Sequence, residues 1–258
     1  MPFTFKVGAK IKEAWPLYKE NFGNIILFVI VLAIIQTISS VLSGKDGNAF
    51  VSLVFFIINT FFLYLGIKAN LNLLDSKGFH PFSREVLPTW PLFWNFFKTY
   101  LLLILCILPI IIIPMFIVIA ISILPSLLLG VVFLPYLIPV IAILIIPGMY
   151  IASRLFPSIY MSIDKGQGAV MSIKGAWEIT KGYGWYIFWK TFVIGLFAVV
   201  GIFALFIGIV VTYPIAMIVI VMLYRELVKS SVVGPTPVAT VVNPVVPEVV
   251  ETPKEEVK

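Results

Sequence analysis

The longest uncharged stretch of this chain determines the medium in which the chain folds. The 55 positions between Lys98 and Arg154 include no Asp, Glu, Lys, Arg or His. As one continuous helix this stretch would extend about 80 Å, whereas the hydrocarbon core of a bilayer is about 30 Å thick. The stretch must therefore cross a membrane, turn and cross back.

The composition agrees with a membrane protein that crosses the bilayer several times. Hydrophobic residues make up 61% of the 258 residues and charged residues only 12%, which excludes an ordinary soluble domain. The apolar runs are continuous and do not alternate at every second residue, so they indicate helices and not the strands of an outer-membrane barrel. We therefore predict an all-α fold, a polytopic transmembrane helical bundle.

Gaps between charged residues define six predicted spans and two flanking segments. A break between the third and fourth spans is expected at residues 123–126, which include Pro125 and Ser126. Residues 1–23 are predicted to form an amphipathic segment before the 24–229 membrane domain, and residues 230–258 a disordered tail rich in Val, Pro, Glu and Lys. The spans are predicted near residues 24–42, 50–70, 99–122, 128–153, 184–203 and 205–225.

Amphipathic patterns predict helices that lie on one surface of the membrane. In the first of them, four apolar residues recur at spacings of three and four. In another, Val170, Ile173 and Trp177 share one face, and Gly182 is a candidate C-terminal cap. Between them, the chain is expected to be irregular from Phe79 until Pro91 opens a helix. The first stripe consists of Ile11, Trp15, Tyr18 and Phe22.

Charge and tryptophan distribution predict the orientation. Lys and Arg accumulate in short cytoplasmic loops, and with six spans nearly all of these residues fall on one side, whereas Lys45 alone falls on the other. We therefore predict a multi-pass protein of the cell (cytoplasmic) membrane with both termini in the cytoplasm. All six tryptophans fall on the same predicted cytoplasmic side: Trp15, Trp90, Trp94, Trp177, Trp185 and Trp189.

Two groups of polar residues are candidates for function. Gln36 and Asn59 fall at similar depth on the first two spans, so a hydrogen bond between helices is expected, and the alternative is a substrate site. The other group is the densest set of ionisable residues near the membrane. It either sets the topology and forms surface ion pairs or binds anionic lipid headgroups or a partner. Its members are Arg154, Asp164, Lys165, Lys174, Glu178 and Lys181, with Trp177 and Trp185 beside them.

The sequence contains no recognisable catalytic or metal-binding constellation. His80 is the one histidine and Cys106 the one cysteine, so neither a histidine-rich nor a cysteine-based metal site is expected. We predict no cofactor, no metal, no nucleic-acid partner and no enzymatic activity. The expected partners are membrane lipids and a further membrane protein, and the sequence leaves the oligomeric state open.

The segment from residue 147 to residue 186 resembles a known family. The family comprises six-helix membrane proteins of bacteria and archaea and includes the membrane domain joined to some glycerophosphodiester phosphodiesterases. The resemblance implies topology much more than activity, because a metal-dependent phosphodiesterase would need several histidines and carboxylates. The matching residues are Pro147-Gly148-Met149, Arg154, Pro157, Asp164-Lys165-Gly166, Ala169, Ser172, Trp177-Glu178-Ile179-Thr180-Lys181-Gly182 and Trp185.

Two hypotheses for function follow from the sequence. The first is a non-enzymatic accessory or scaffold protein that contacts inner-leaflet lipids or a partner through its aromatic and basic cytoplasmic face. The alternative is a permease or transporter subunit for a small molecule or a lipid. The role of Gln36 and Asn59 distinguishes them, because only the second hypothesis needs these residues to line a path.

Overall fold

Helices make up nearly all of the structure, a computed structural model that describes residues 3–43, 49–129, 134–203 and 207–232. These ranges contain no β-strand. The segments between the helices are short, except for the loop of residues 75–89. In chain order the helices are α1 Val7–Glu20, α2 Phe22–Ser43, α3 Ala49–Leu74, α4 Trp90–Leu129, α5 Leu134–Leu155, α6 Pro157–Asp164, α7 Ala169–Ile179, α8 Gly184–Phe203 and α9 Ile207–Val232.

Five helices in the described ranges are long and apolar enough to cross a membrane. They are the helical segments of α2, α3, α4, α8 and α9, which have 18 to 26 residues each. The predicted all-α, polytopic helical bundle is therefore confirmed. A sixth long helix, α5, has 22 residues and one charged side chain, Arg154 in its last turn. The count of six spans stays a prediction.

The predicted break between the third and fourth spans is wrong in position. Helix α4 continues through residues 123–126 to Leu129, so residues 128 and 129 belong to it and not to the next helix. In hydrocarbon every backbone group must be satisfied internally, and prolines are tolerated in membrane helices, so Pro125 does not end α4. At its other end α4 begins at Trp90, with Pro91 in the first turn, as predicted.

The ends of the chain also differ from the prediction. Helix α9 extends to Val232, so residues 230–232 are helical and not part of a tail. Helix α1 passes through Pro16 and ends at Glu20, and α2 begins at Phe22, so the predicted segment 1–23 spans the end of one helix and the start of the next. The predicted tail from residue 233 onward and residues 44–48, 130–133 and 204–206 lie outside the described residues.

The surface helices pack only partly through the predicted stripes: of the α1 stripe, Tyr18 is buried and Ile11 packs against the core. In α1 the buried side chains are Val7, Ala14 and Tyr18, whereas Trp15 is exposed. Small side chains form the inner face of α7, and Val170 and Trp177 of the predicted stripe are exposed. Ser172 and Ala176 let α7 approach α6 closely, and Ile179 is also buried on this side of α7. The C-terminal cap of α7 is Thr180, and Gly182 follows with φ +83°.

Helix α9 lies at the centre of the bundle. Its side chains are buried along most of the segment from Ile215 to Leu227, and it packs against α1, α3 and α8. Apolar side chains on several sides of a helix are typical of a buried position. In contrast, α2 exposes a row of large apolar residues that includes Leu27, Ile34 and Leu42. Such a row suits a helix whose outer face contacts lipid.

The close approach of α8 and α9 depends on glycine. Gly201 of α8 lies so near the backbone of Gly208 that a Cβ atom there would be 2.5 Å from the carbonyl carbon. The hydroxyl of Thr212 on α9 donates a hydrogen bond to the carbonyl oxygen of Ala198 on α8 at 2.9 Å. Small residues at helix interfaces allow this kind of contact in membrane proteins.

Candidate functional site

An arginine at the end of α9 joins three parts of the chain. Arg225 Nη1 donates to Asp164 Oδ2 at 3.1 Å, and Arg225 Nη2 donates to Asp75 Oδ2 at 2.9 Å. The hydroxyl of Tyr224 also donates to Asp164 Oδ2, at 3.0 Å. The planar guanidinium group suits two carboxylates at once. These contacts bring the ends of α3, α6 and α9 to the same side of the bundle.

The predicted arginine at the end of α5 lies against α7. The guanidinium carbon of Arg154 is 3.5 Å from the centre of the Trp177 ring, within the range of a cation–π contact. Its Nη2 donates to the carbonyl oxygen of Trp177 at 3.2 Å. Its Nε is 3.4 Å from the Thr180 hydroxyl oxygen, and these contacts fix α5 against the end of α7.

Exposed tryptophans surround this end of the bundle. All six indole rings are between 43% and 74% exposed, and they lie on α1, the first two turns of α4 and α8, and α7. Lys19 Nζ is 5.8 Å from the Trp15 ring centre, and Lys98 Nζ is 5.5 Å from that of Trp94. Both pairs have the i, i+4 spacing that places side chains together on a helix. We call this surface, defined by the six tryptophans, the tryptophan face.

The N-terminal segment is fastened to α8 and α9 on the same side. The Tyr186 hydroxyl donates to the carbonyl oxygen of Phe5 at 3.1 Å and also accepts a hydrogen bond from the Phe5 amide. Lys10 Nζ lies 2.8 Å from Glu13 Oε2 and 2.9 Å from Glu226 Oε1. The hydrogen bond with Glu13 raises the pKa of Lys10 above its usual value.

The structure divides the predicted ionisable group between two places. Arg154 and Trp177 lie together, with Trp185 nearby through its ring contact with Tyr150 at 4.9 Å. Asp164 belongs instead to the Arg225 contacts. The other four members are exposed, and none of them forms an ion pair within the described residues. They are Lys165, Lys174, Glu178 and Lys181.

The predicted hydrogen bond between the first two long helices is present. Gln36 Nε2 donates to Asn59 Oδ1 at 2.7 Å, and Asn59 Nδ2 donates to the carbonyl oxygen of Phe55 at 2.8 Å. Thr60, the next residue on α3, donates its hydroxyl hydrogen to the carbonyl oxygen of Phe56 at 2.8 Å. The polar atoms of α2 and α3 therefore largely satisfy one another or the backbone.

A cavity of about 340 Å³ lies between α2, α3 and α9. Most of its lining is apolar or aromatic, and Gln36 and Asn59 lie at its wall. Tyr160 of α6 and Tyr213 of α9 also line the cavity, and neither hydroxyl has a hydrogen-bond partner among the described residues. Burial raises the pKa of Tyr160, so its hydroxyl keeps its proton and remains a hydrogen-bond donor.

The described residues show no group of three or more His, Cys, Asp or Glu side chains that could hold a metal ion. His80 contacts Asn24 instead, at 3.2 Å between Nδ1 and Nδ2. No protein-family model, curated protein or solved structure matches the chain. The resemblance of residues 147–186 to a six-helix family therefore stays a prediction, and the site is interpreted from its own geometry.

Several residues of these sites were missed by sequence reasoning. Arg225 and Asp75 are 150 positions apart, and nothing in the local pattern of either residue predicts the pair. Tyr160 and Tyr213 occur in apolar segments where a tyrosine is unremarkable. The one local signal was the position of Asp75 directly after a membrane helix. An acidic residue at such a position is often paired with a basic residue.

A double-mutant cycle will measure the contact between Gln36 and Asn59. We expect Gln36→Leu and Asn59→Leu to destabilise the protein and to show a coupling of about 1 kcal/mol, as for other hydrogen bonds between membrane helices. The measurement is unfolding in mixed micelles with increasing dodecyl sulfate. Additive effects, with a solute flux lost while the folded protein stays abundant, would contradict a structural role and favour a path.

Proposed function

We propose that this chain is a non-enzymatic, multi-pass protein of the cell (cytoplasmic) membrane that binds anionic lipid headgroups of the inner leaflet through its tryptophan face. Both termini lie in the cytoplasm. Through this contact it serves as an accessory or scaffold for lipids and for a further membrane protein. The observation that carries the proposal is the exposure of all six tryptophans at one end of the bundle, with basic groups beside three of them.

The chemistry of the tryptophan face supports this role. Indole rings prefer the headgroup level of a bilayer, because one part of the ring is apolar and the other can donate a hydrogen bond. Lys19, Lys98 and Arg154 lie over such rings, which places positive charge at the same level. Each basic residue near an anionic leaflet contributes about 1 kcal/mol to the attraction.

Apolar side chains outside the bundle support the same orientation. Val170 and Met171 of α7 are exposed, although the opposite side of the helix is buried. A short helix with an apolar outer side and a packed inner side suits the boundary between headgroups and acyl chains. The formal net charge of the chain is +6, which favours association with anionic lipid.

The lipid preference of the protein in vesicles tests the proposal. We expect spin-labelled phosphatidylglycerol to associate with the protein more strongly than spin-labelled phosphatidylcholine. In the double variant Lys19→Gln, Lys98→Gln this preference should fall by about twofold or more, since two surface charges are lost. It should also fall in 1 M salt, where the screening length is about 3 Å.

The matched control keeps both positive charges and changes only the side chains that carry them. The double variant Lys19→Arg, Lys98→Arg should retain the preference for phosphatidylglycerol, because both guanidinium groups can lie over the same rings. Equal association of the two lipids with the unmodified protein would overturn the proposal. So would a preference that the glutamine variant leaves unchanged.

The alternative, a permease or transporter subunit for a small molecule or a lipid, is favoured by one observation. The cavity between α2, α3 and α9 is lined in part by Gln36 and Asn59, and sites for small molecules are often apolar cavities with few polar groups. A solute flux into vesicles that requires Gln36 would favour this alternative over the accessory role.

A further inference from the structure

We propose that the cavity between α2, α3 and α9 holds one acyl chain of an ester lipid, whose oxygen accepts hydrogen bonds from the hydroxyls of Tyr160 and Tyr213. The tryptophan face contacts headgroups from outside, whereas this site lies inside the bundle. The proposal does not depend on the headgroup contact and is tested separately from it.

The cavity is elongated along α3. Its lining residues on α3 run along one side of the helix from Phe56 to Asn70, a distance of about 21 Å at 1.5 Å per residue. The cavity has a volume of about 340 Å³ and follows this side of α3, so it is elongated along the helix. Its length suits a hydrocarbon chain that lies parallel to α3.

The wall of the cavity is mostly apolar. Ile25, Phe28 and Leu32 line the cavity from α2, and Met217 and Val221 line it from α9. Apolar side chains make up most of the wall, and the amide groups of Gln36, Asn59 and Asn70 lie among them. The surrounding medium of these helices is lipid hydrocarbon, which offers the right occupant at high concentration.

Two tyrosine hydroxyls beside the cavity have no hydrogen-bond partner in the described part of the chain. Tyr160 is 6% exposed and Tyr213 is 46% exposed, and both line the cavity. An occupant with an oxygen acceptor gives these donors a hydrogen-bond partner inside the cavity. An ester carbonyl supplies such an acceptor at the end of a long chain.

The test is photolabelling in vesicles of phosphatidylcholine that contain a small fraction of phosphatidylcholine with a diazirine on one acyl chain. We expect labelled residues on the cavity side of α3, between Phe56 and Asn70. Labels on the exposed residues Leu27 and Ile34 of α2 report the ordinary lipid shell and serve as the internal reference. Cavity labelling that is weaker than the reference labelling and that rises in proportion to the amount of diazirine lipid would contradict a specific lipid site in the cavity.

Two kinds of variant separate shape from hydrogen bonding. Met217→Trp fills the cavity and should reduce its labelling at least tenfold relative to the reference, while Met217→Leu should not. The variants Tyr160→Phe and Tyr213→Phe keep the shape, and each should weaken labelling by about two- to tenfold, the range of one lost hydrogen bond. Tyr183→Phe is the control, because Tyr183 lies outside the cavity lining.

The remaining outcomes also decide the proposal. Unchanged labelling in Met217→Trp, or in both tyrosine variants, overturns it. A fatty acid that carries a diazirine is the competing probe. If it labels the cavity at a lower mole fraction than the phospholipid does, the site binds free fatty acids, and the proposal of an ester lipid is wrong. The double variant Lys19→Gln, Lys98→Gln should leave cavity labelling unchanged, so failure of the headgroup contact is distinguishable from failure of this site.

Discussion

Replacing Gly201 with alanine should destabilise the protein by about 3 kcal/mol, at the upper end of the usual cost of overpacking. The added methyl group would lie 2.5 Å from the carbonyl carbon of Gly208 and 2.6 Å from its oxygen, and it would also meet the Thr212 hydroxyl. These are mainly backbone atoms, which cannot rotate away. Helices α8 and α9 would have to separate, and the hydrogen bond from Thr212 to Ala198 would be lost.

A second glycine on the same helix provides the matched control. Gly195 is exposed and has no atom within 4 Å of the position of an added Cβ. Gly195→Ala should therefore be neutral or stabilise the protein by up to about 1 kcal/mol, because alanine favours a helix more than glycine does. Unfolding in mixed micelles measures both variants. A Gly201→Ala protein as stable as the unmodified one would contradict the close packing of the two helices.

Replacing Arg225 with leucine should cost about 2 kcal/mol of stability. The change leaves Asp164, which is 19% exposed in its side chain, with Tyr224 as its one remaining partner. Asp75 is 48% exposed, so its half of the contact is screened by water and contributes little. The cost therefore comes mainly from the carboxylate of Asp164, which loses the positive charge beside it.

Three companion variants test this division of the Arg225 contacts. Asp75→Asn should cost less than about 1 kcal/mol. Arg225→Lys should lose part of the stability, because an ammonium group cannot donate to two carboxylates at once as the planar guanidinium group does. Adding Asp164→Asn to Arg225→Leu should recover part of the loss, since it removes the unpaired charge. Thermal unfolding in detergent measures all of them, and equal costs for Asp75→Asn and Arg225→Leu would contradict the argument.

The long helices were predictable because hydrocarbon imposes a simple rule. Charge-free runs must be helical in a bilayer, and the run that begins at Thr191 forms most of α8; with Lys190 allowed near the surface, the predicted span 184–203 coincides with α8, Gly184–Phe203. The same rule explains the error at Pro125, since a proline that would end a helix in water is tolerated here. The hydrogen bond from Gln36 to Asn59 was predictable because the two residues lie at similar depth on consecutive helices.

The sites made by distant parts of the chain were not predictable. The cavity is lined by side chains of α2, α3 and α9 together, and no single helix carries that information. Asp164 was expected among the residues near α7, yet its partner Arg225 is 61 positions away. The sequence indicates which residues lie at the same depth, but which helices are neighbours depends on side-chain packing, as at Gly201.

The fastening of the N-terminus has a consequence for the synthesis of the protein. Residues in and just before α1 contact residues far along the chain: Phe5 contacts Tyr186, which is 181 positions later, and Lys10 contacts Glu226. At a synthesis rate of about 5–20 residues per second, the later residue of each pair follows the earlier one after about ten seconds or longer. Helix α1 therefore remains undocked while the helices from α2 to α7 are synthesised, and it docks only after α8 and α9 have followed.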